Sequence, residues 1–495
     1  MKEDCLPFHL WLPPEPEPQF FCYQPGPGRR APLRLFFYAN SQHQSPKHMP
    51  YQSISPVRHR YLQRDYLGNR SEDNSPLGSY HHDVQQWVRT SKERMHQHCH
   101  SLPIAVANPR LLSVAIDDIG RRRILSEEEA SIPNWYPWEW LREIQKRILN
   151  GSFRRGKYTK HKIPKPGKKG FRTIEVPPDE TRIVARNLSS LLTPVLDPDF
   201  YHFSLGFRPK RSPAHCLATA RSMIERGMHH MVACDIRDAF GTIPKQRLLQ
   251  ILRSRLHQSS VMGLIEELLD RNRKRGIPQG LALSPICLNV YLDHLLDHSW
   301  GEQFPGTVLV RYADDLAVFC DTHESAVDCY AALQNRIETI GMQIKESQDE
   351  AIFDLSSGEH VNWIGFKMQW ANGKLGVHVN ESSWYKLEAR LLELKYKRDK
   401  GEPLTDQNVA STGFQWLVQK ALGVREPQVS SVAEQIRQLA DDCGLNMTEF
   451  TDEDAQAAWQ TGQSVAKRAR KDVSLWLPQG LTPQQISATV NPQSY

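Results

Sequence analysis

The sequence contains no long apolar run, no regular cysteine framework and no strong excess of one charge. Its apolar stretches are far shorter than the roughly 20 residues that cross a bilayer. Residues 1–18 hold acids and prolines where a signal peptide needs an uninterrupted apolar core. The nine cysteines include no CxxC pair, which argues against a disulfide framework. We therefore expect a cytoplasmic protein with reduced thiols and no membrane partner.

The chain is too long for one ordinary core, and its positive charge is clustered. A length of 495 residues suits about two to four structural units. The net charge is only +6, but two short stretches are strongly basic. They contain Arg154, Arg155, Lys157, Lys160, Lys162, Lys165, Lys168, Lys169 and Arg172 in the first, and Arg271, Arg273, Lys274 and Arg275 in the second. Such runs are usually solvated surface, but beside a carboxylate site they suggest bound phosphate backbones.

The strongest chemical signal lies in residues 307–320. Two apolar runs, 308–310 and 316–319, predict short strands joined by a turn that carries Asp314 and Asp315. Adjacent carboxylates between buried strands are unfavourable unless a cation neutralises them, and a divalent metal would do so. A polar turn that faces solvent is the alternative explanation for this motif taken alone.

A third acid occurs in a matching setting. Residues 231–234 have the pattern of a buried strand, and Asp235 follows directly. With Asp314 and Asp315 it supplies the oxygen ligands for two Mg²⁺ ions, which Mn²⁺ could replace. One ion would activate an attacking 3′-oxygen and the other would stabilise a leaving pyrophosphate. The predicted chemistry is nucleotidyl transfer.

Asp235 together with Tyr312-Ala313-Asp314-Asp315 resembles the palm of reverse transcriptases. Residues 134–366 are similar to the group II intron-type branch of bacterial reverse transcriptases, and 204–209 match its Ser-x-Gly-Phe-Arg-Pro signature. The resemblance implies an α+β, right-hand polymerase fold with fingers, palm and helical thumb. The metal-binding residues that the resemblance implies are the three aspartates and Ile236.

The same resemblance suggests domain boundaries. The expected units are an N-terminal extension at 1–130, fingers at 131–230, a palm at 231–379 with interleaved fingers elements, a helical thumb at 380–450 and a C-terminal extension at 451–495. The N-terminal extension is rich in Pro, His, Gln and Ser, so we expect it to be partly irregular. Its His96, His98 and His100 match no common zinc spacing and are predicted to be surface histidines, with zinc as the alternative.

The resemblance also assigns the nucleotide site. Lys165 and Arg172 lie on a predicted fingertip hairpin and would hold the triphosphate of a dNTP. Phe240, five residues after Asp235, would stack under the sugar and exclude a 2′-hydroxyl. An ordinary core position is the alternative for Phe240. Gln279 lies in a Pro-Gln-Gly loop that would position the template base and the primer end.

Six further basic residues are candidates for nucleic-acid contacts. These are Arg208, Arg273, Lys274, Arg275, Lys386 and Arg390. Arg208 belongs to the Ser-x-Gly-Phe-Arg-Pro segment, and a structural salt bridge is its alternative role. Lys386 and Arg390 lie on a basic amphipathic helix predicted beyond Asn380, where the family has its thumb.

The chain departs from the family after the helix predicted at 326–340. Relatives carry a lysine there that is thought to protonate the departing pyrophosphate, but the corresponding positions hold Gln348 and Asp349. Lys345 is close enough in sequence to substitute for that lysine.

The polar residues after 477 predict a mobile C-terminal tail. The hydroxyl of Ser494 or Tyr495 in this tail could prime synthesis, and a frayed terminus without such a role is the alternative.

The function expected from these features is RNA-directed DNA polymerisation. Because no His-Asn-His endonuclease pattern follows the thumb region, we expect a free-standing enzyme that copies a dedicated, structured non-coding RNA into cDNA, in defence against phage. An intron maturase, an inactive polymerase-shaped scaffold and an RNA-dependent RNA polymerase are the alternatives, and Phe240 argues against the last. The sequence does not determine the oligomeric state, and it is compatible with a homo-oligomer.

Overall fold

The structure is a computed structural model that describes residues 92–122, 138–164, 171–304, 307–399, 401 and 404–477. All of them fall in the unit Pro46–Tyr495. Four helices form its first layer: α1 (Lys92–Val106), α2 (Pro109–Arg122), α3 (Trp138–Leu149) and α4 (Asp179–Leu196). The first three helices pack on one another, and α1 and α2 also pack on α4. In α3, Leu141, Ile144 and Ile148 recur at helical spacing, and all three residues are buried.

The two strands of the predicted fingertip hairpin are confirmed. Strand β1 (Thr159–Pro164) pairs with β2 (Phe171–Val176) in antiparallel fashion, so that Thr159 faces Val176. Residues 165–170, which connect the two strands, lie outside the described part of the chain.

A four-stranded antiparallel sheet forms the centre of the fold. Its members are β3 (His230–Asp235), β4 (Val308–Tyr312), β5 (Asp315–Cys320) and β6 (Ile352–Asp354), in the order β4-β5-β3-β6. Alternate residues enter two different cores: Val232 and Val318 enter one, and Met231 and Phe319 enter the other. Because both faces are covered, β3, β4 and β5 are mostly apolar, which is why they are evident in the sequence.

Helices cover this sheet and connect its strands. Helix α5 (Pro213–Ile224) packs on β4 and β5, and α11 (His323–Thr339) packs on β3 and β5. The other helices of this region are α6 (Ala239–Thr242), α7 (Lys245–Arg255), α8 (Met262–Leu268), α9 (Ser284–Leu292), α10 (His298–Gln303) and α12 (Gln348–Ala351).

A second sheet follows, made of β7 (His360–Trp363), β8 (Phe366–Ala371) and β9 (Lys374–Val379). Asn372 and Gly373 connect β8 to β9 with positive φ angles of 52° and 70°. Two successive positive φ values suit a tight two-residue turn, as the Asn-Gly pair predicts.

Four helices complete the described chain. They are α13 (Glu381–Asp399), α14 (Asp406–Lys420), α15 (Val429–Asp442) and α16 (Asp452–Trp476). The first three share a core, and α16 packs on α14, on α15 and on α5 beside the central sheet. Within the described residues, we find no helix with the length and apolarity to span a membrane.

Candidate active site

The register of the central sheet brings two of the predicted catalytic acids together. Asp235 at the end of β3 lies opposite Asp315 at the start of β5, and the two side chains share a hydrogen bond. Burial, followed by the hydrogen bond and charge of Asp235, raises the pKa of Asp315 to about 9. Burial also raises the pKa of Asp314. Asp314 and Asp315 are therefore poorly solvated and lie close to the charge of Asp235, which favours either a proton or a cation between the acids.

One cation contacts this group directly. The Nζ atom of Lys345 lies 2.8 Å from Oδ2 of Asp235 and 2.6 Å from Oε1 of Glu346. Although burial lowers the pKa of Lys345, these hydrogen bonds raise it above its ordinary value. The Asp235 amide donates to Oε2 of Glu346 at 2.7 Å, so Glu346, which the sequence analysis did not identify, fixes both the strand end and the lysine.

The donor chemistry suits a hard divalent cation. Within the described residues, no three His, Cys, Asp or Glu side chains form a ready-made metal-binding group. The hydrogen bond between Asp235 and Asp315 nevertheless marks a place where a divalent cation can replace a shared proton. Asp235, Asp314 and Asp315 would hold it. The apolar side chain of Ile236 is 2% exposed, so only its main-chain carbonyl could contribute.

A buried arginine holds the turn that carries Asp314. The side chains of Arg311 and Asp297 are each 1% exposed, and they form an ion pair at 2.5 Å. Arg311 Nη1 donates to Oδ1 of Asn289 at 2.9 Å and to the carbonyl of Ala313 at 3.0 Å. Because Ala313 has a positive φ of 63°, this hydrogen bond stabilises a strained residue directly before Asp314.

The Ser-Leu-Gly-Phe-Arg-Pro segment supports the same turn. Ser204 Oγ accepts a hydrogen bond from Arg311 Nη2. A side chain at Gly206 would lie only 2.2 Å from the amide nitrogen of Ala313, so glycine is required for this close approach. The Gly206 carbonyl accepts a hydrogen bond from Asn289 at 2.8 Å. The segment therefore positions the catalytic turn.

The structure corrects the predicted nucleic-acid contact of Arg208. Its guanidinium binds Oδ1 of Asp197 at 2.7 Å and the carbonyls of Asp197, Tyr201 and Ser204. The Arg208 side chain is 5% exposed. Because its donors are directed at the protein, Arg208 has the structural role that the sequence left as the alternative.

Two phenylalanines lie beside each other near the predicted sugar site. Phe240 is partly buried on α6, and its ring centroid is 6.3 Å from that of Phe207. Phe207 is 52% exposed, with a positive φ of 58°. Its place in the Ser-Leu-Gly-Phe-Arg-Pro segment is the sequence signal by which Phe207 could have been found. The Phe240 carbonyl accepts from the amide of Ile277 at 2.7 Å, which links α6 to the loop of Gln279.

The loop of Gln279 also contacts the fingertip hairpin. Gln279 is exposed, and its carbonyl accepts a hydrogen bond from the amide of Glu175 at 3.0 Å. Arg273, a predicted nucleic-acid contact, instead donates to both carboxylate oxygens of Glu175 at 2.8 Å. Arg275 donates to the carbonyl of Gly341. Lys274 is exposed and makes no hydrogen bond or ion pair within the described part of the chain, so it is the residue of this cluster best placed to meet a phosphate.

The remaining predicted basic contacts lie on α13. Arg390 pairs with Glu393 at 2.6 Å. Lys386 is exposed, and no described carboxylate pairs with it. On α12, Gln348 and Asp349 are exposed, and Lys345 is the lysine that contacts a predicted catalytic acid.

Several predicted site residues lie outside the described chain. These are Lys165, Ser494 and Tyr495, and for Arg172 the structure describes only its backbone, in β2. Of the histidines, His100 is exposed, but His98 is 5% exposed and burial lowers its pKa to about 4. The prediction of a surface histidine is therefore wrong for His98, because α1 turns this residue inward.

Comparison with known proteins agrees with this geometry. Residues 163–368 match the family model for reverse transcriptase (RNA-dependent DNA polymerase). The chain is 27% identical to protein YkfC of Escherichia coli over 31% of this chain and 43% of that protein. It is 23% identical to the group II intron-encoded protein LtrA of Lactococcus lactis subsp. cremoris over 43% of this chain and 35% of LtrA. The chain thus spans less than half the length of these curated relatives.

Solved structures that resemble the chain include two assemblies. One is a Cas6-RT-Cas1–Cas2 complex, with a TM-score of 0.31, 14% identity and coverage of 76% of this chain and 51% of that chain. Another is apo telomerase from Candida tropicalis, with a TM-score of 0.35, 11% identity and coverage of 68% of each chain. Residues 163–368 are therefore similar to a reverse transcriptase domain, and Asp235, Asp314 and Asp315 lie within the matched range.

Proposed function

We propose that the protein is an RNA-directed DNA polymerase that makes cDNA from dNTPs by two-metal nucleotidyl transfer. The observation that carries the proposal is the placement of Asp235 opposite Asp315, with Asp314 beside them, inside the matched domain. Burial and the neighbouring acids raise the pKa values of Asp314 and Asp315, so a divalent cation that displaces the shared proton would relieve the repulsion between these carboxylates.

The residues around the acids have separate roles in this proposal. Two Mg²⁺ ions, when bound, activate the attacking oxygen and neutralise the leaving group. Arg311 keeps the turn of Asp314 in place, and Glu346 keeps the end of β3 in place. Lys345 provides a positive charge at Asp235 that can meet the departing pyrophosphate, a role that the exposed Gln348 and Asp349 do not offer.

We further propose a dedicated, structured non-coding RNA as the template and antiphage defence as the biological role. Two exposed cations, Lys274 in the loop that leads to Gln279 and Lys386 on α13, support binding of a nucleic-acid backbone. The choice of a non-coding RNA and the role in defence rest on family resemblance.

Sequencing the nucleic acids that co-purify with the protein from cells tests this function. We expect one abundant structured RNA together with DNA complementary to it. A variant with Asp314→Asn and Asp315→Asn is the matched control, because it keeps the basic surfaces and should retain the RNA while losing the complementary DNA. Recovery of diffuse cellular RNA would contradict a dedicated template, and an intron RNA without cDNA would favour a maturase.

A further inference from the structure

Phe207, in the Ser-Leu-Gly-Phe-Arg-Pro segment, is an exposed aromatic residue with a strained backbone. It is 52% exposed, and its φ is 58°. A bulky residue rarely adopts a positive φ, because its Cβ atom then lies too close to the main chain. A ring that is half in water gains little from burial, so packing in a core does not compensate for this strain. Strain of this kind persists where the surroundings fix the residue, and it is common at functional sites.

The residues on both sides of Phe207 are fixed by the fold. Gly206, which precedes it, lies so close to the main chain of Ala313 in the catalytic turn that no side chain fits between them. Arg208, which follows it, donates from Nη1 to the carbonyl of Ser204 at 2.7 Å, and the Arg208 side chain is 5% exposed. Phe207 is therefore held in a defined position next to the catalytic turn.

The ring of Phe207 packs edge to face with the ring of Phe240. The two ring centroids are 6.3 Å apart and the ring planes are inclined at 60°, which is a favourable geometry for an aromatic pair. The main chain of Phe240 is fixed from another direction, because its carbonyl accepts a hydrogen bond from the amide of Ile277 at 2.7 Å. The Phe240 side chain also packs on the main core. Phe207 therefore supports the Phe240 ring from the side of the catalytic turn.

Support for the Phe240 ring matters for the choice of sugar. Phe240 lies on α6, a helix of only four residues, and Asp238 directly before that helix has a positive φ of 43°. A side chain that rotates by a few tens of degrees away from its preferred rotamer pays little compared with a steric clash. Such a movement of the Phe240 ring would make room for a 2′-hydroxyl. A ring packed against it opposes the movement, because the aromatic contact is then lost.

We propose that Phe207 is a positioning residue for sugar selection, and that it holds the Phe240 ring in place when a nucleoside triphosphate binds. This inference rests on the proposed function and adds a second specificity residue to Phe240. Phe207 acts through Phe240, so its effect on the choice of sugar requires the Phe240 ring. An exposed ring that stacked directly on a base would instead have an effect that does not depend on Phe240.

Single-nucleotide incorporation tests the proposal. The purified protein extends a DNA primer on an RNA template with either a dNTP or the matching rNTP, and kcat and KM are measured for each nucleotide. Phe207→Leu removes the ring and keeps an apolar side chain. We expect the ratio of kcat/KM for the dNTP to kcat/KM for the rNTP to fall about three- to tenfold, as for the loss of one aromatic pair. Most of the fall should come from a lower KM for the rNTP, whereas damage to the fold would lower kcat for both nucleotides alike.

Matched variants separate this role from a structural one. Phe207→Tyr keeps the ring and should restore the wild-type ratio. In a Phe240→Ala background, Phe207→Leu should change the ratio no further, because the ring that Phe207 supports is absent. Phe207→Asn removes the ring and suits a positive φ, so it decides the question if Phe207→Leu fails to fold.

Three results would overturn the proposal. One is an unchanged ratio in folded Phe207→Leu or Phe207→Asn. Another is an equal change of the ratio with and without the Phe240 ring, which would show that Phe207 contacts the nucleotide or the template directly. The third is equal use of both nucleotides by wild type. Incorporation of the dNTP by wild type tests the proposed function separately, and its failure would refute that function together with this inference.

Discussion

Phe240 is the residue on which the proposed choice of sugar depends. It is partly buried against the main core, so packing alone would explain an aromatic side chain there. It lies on α6, the short helix that begins a few residues after Asp235, and it contacts the exposed Phe207, so it is at the edge of the core.

Replacing Phe240 by alanine should increase the use of ribonucleotides relative to deoxyribonucleotides by about tenfold or more, because the clash with a 2′-hydroxyl disappears. Competing incorporation of the two nucleotide classes on one template measures this ratio. Phe240→Tyr keeps the bulk and should keep the preference for dNTPs. Equal use of both classes by wild type would contradict the assignment.

The predictability of single residues from sequence depended on their partners. The apolar runs of the sequence placed Asp235, Asp314 and Asp315 at strand ends, and the sheet register brings Asp235 opposite Asp315. Arg208 and Arg273 had the same appearance as phosphate-binding cations, but Asp197 and Glu175 neutralise them. Those partners are 11 and 98 residues away in sequence, so only the fold reveals them.

At the scale of elements, strands with two buried faces were the easiest to predict and the last helix was the hardest. Helix α16 buries small residues, among them Ala455, Ala458, Gly462 and Ala466. Alanine and glycine give a weak hydrophobic pattern. At Gly462 a Cβ atom would lie 2.5 Å from the carbonyl oxygen of Val418, so the small residues serve close helix packing and not a conventional apolar stripe.

The end of α16 is attached to α5 through His215. The ring stacks on Trp476 with centroids 5.8 Å apart, and Nε2 lies 3.2 Å from Oδ2 of Asp472. Burial lowers the pKa of His215 more than Asp472 raises it, and the charge of Arg211 also lowers it. A histidine with a lowered pKa stabilises the fold above its unfolded pKa of about 6.5, and this contribution is lost as the pH falls below that value.

Lowering the pH from about 7.5 to 5.5 should therefore loosen α16, because protonation of His215 becomes unfavourable in its buried site. Hydrogen exchange, corrected for its intrinsic pH dependence, should increase in residues 452–476 relative to α15. His215→Gln cannot titrate and should remove this pH dependence. The same increase in the variant would show that another group is responsible.

At the scale of the whole molecule, the matched domain at 163–368 covers the central sheet, the catalytic turn and the loop of Gln279. The thumb-like helices follow it and contact it at Gly365 and through α16. The family resemblance anticipated this order of elements. It could not anticipate the contact of Lys420 with the Gly365 carbonyl, because these two residues are 55 positions apart in the sequence.

The most direct test of the account is extension of a DNA primer on an RNA template by the purified protein with Mg²⁺. Wild type should extend the primer, and EDTA should stop it. Asp235→Asn or Asp315→Asn should lower the rate by about a thousandfold or more, because the carboxylates that would hold the metal ions are lost. Asp349→Asn, a change at an exposed acid on α12, should extend at the wild-type rate. Folded Asp235→Asn and Asp315→Asn proteins that extend within a few-fold of wild type would contradict the account.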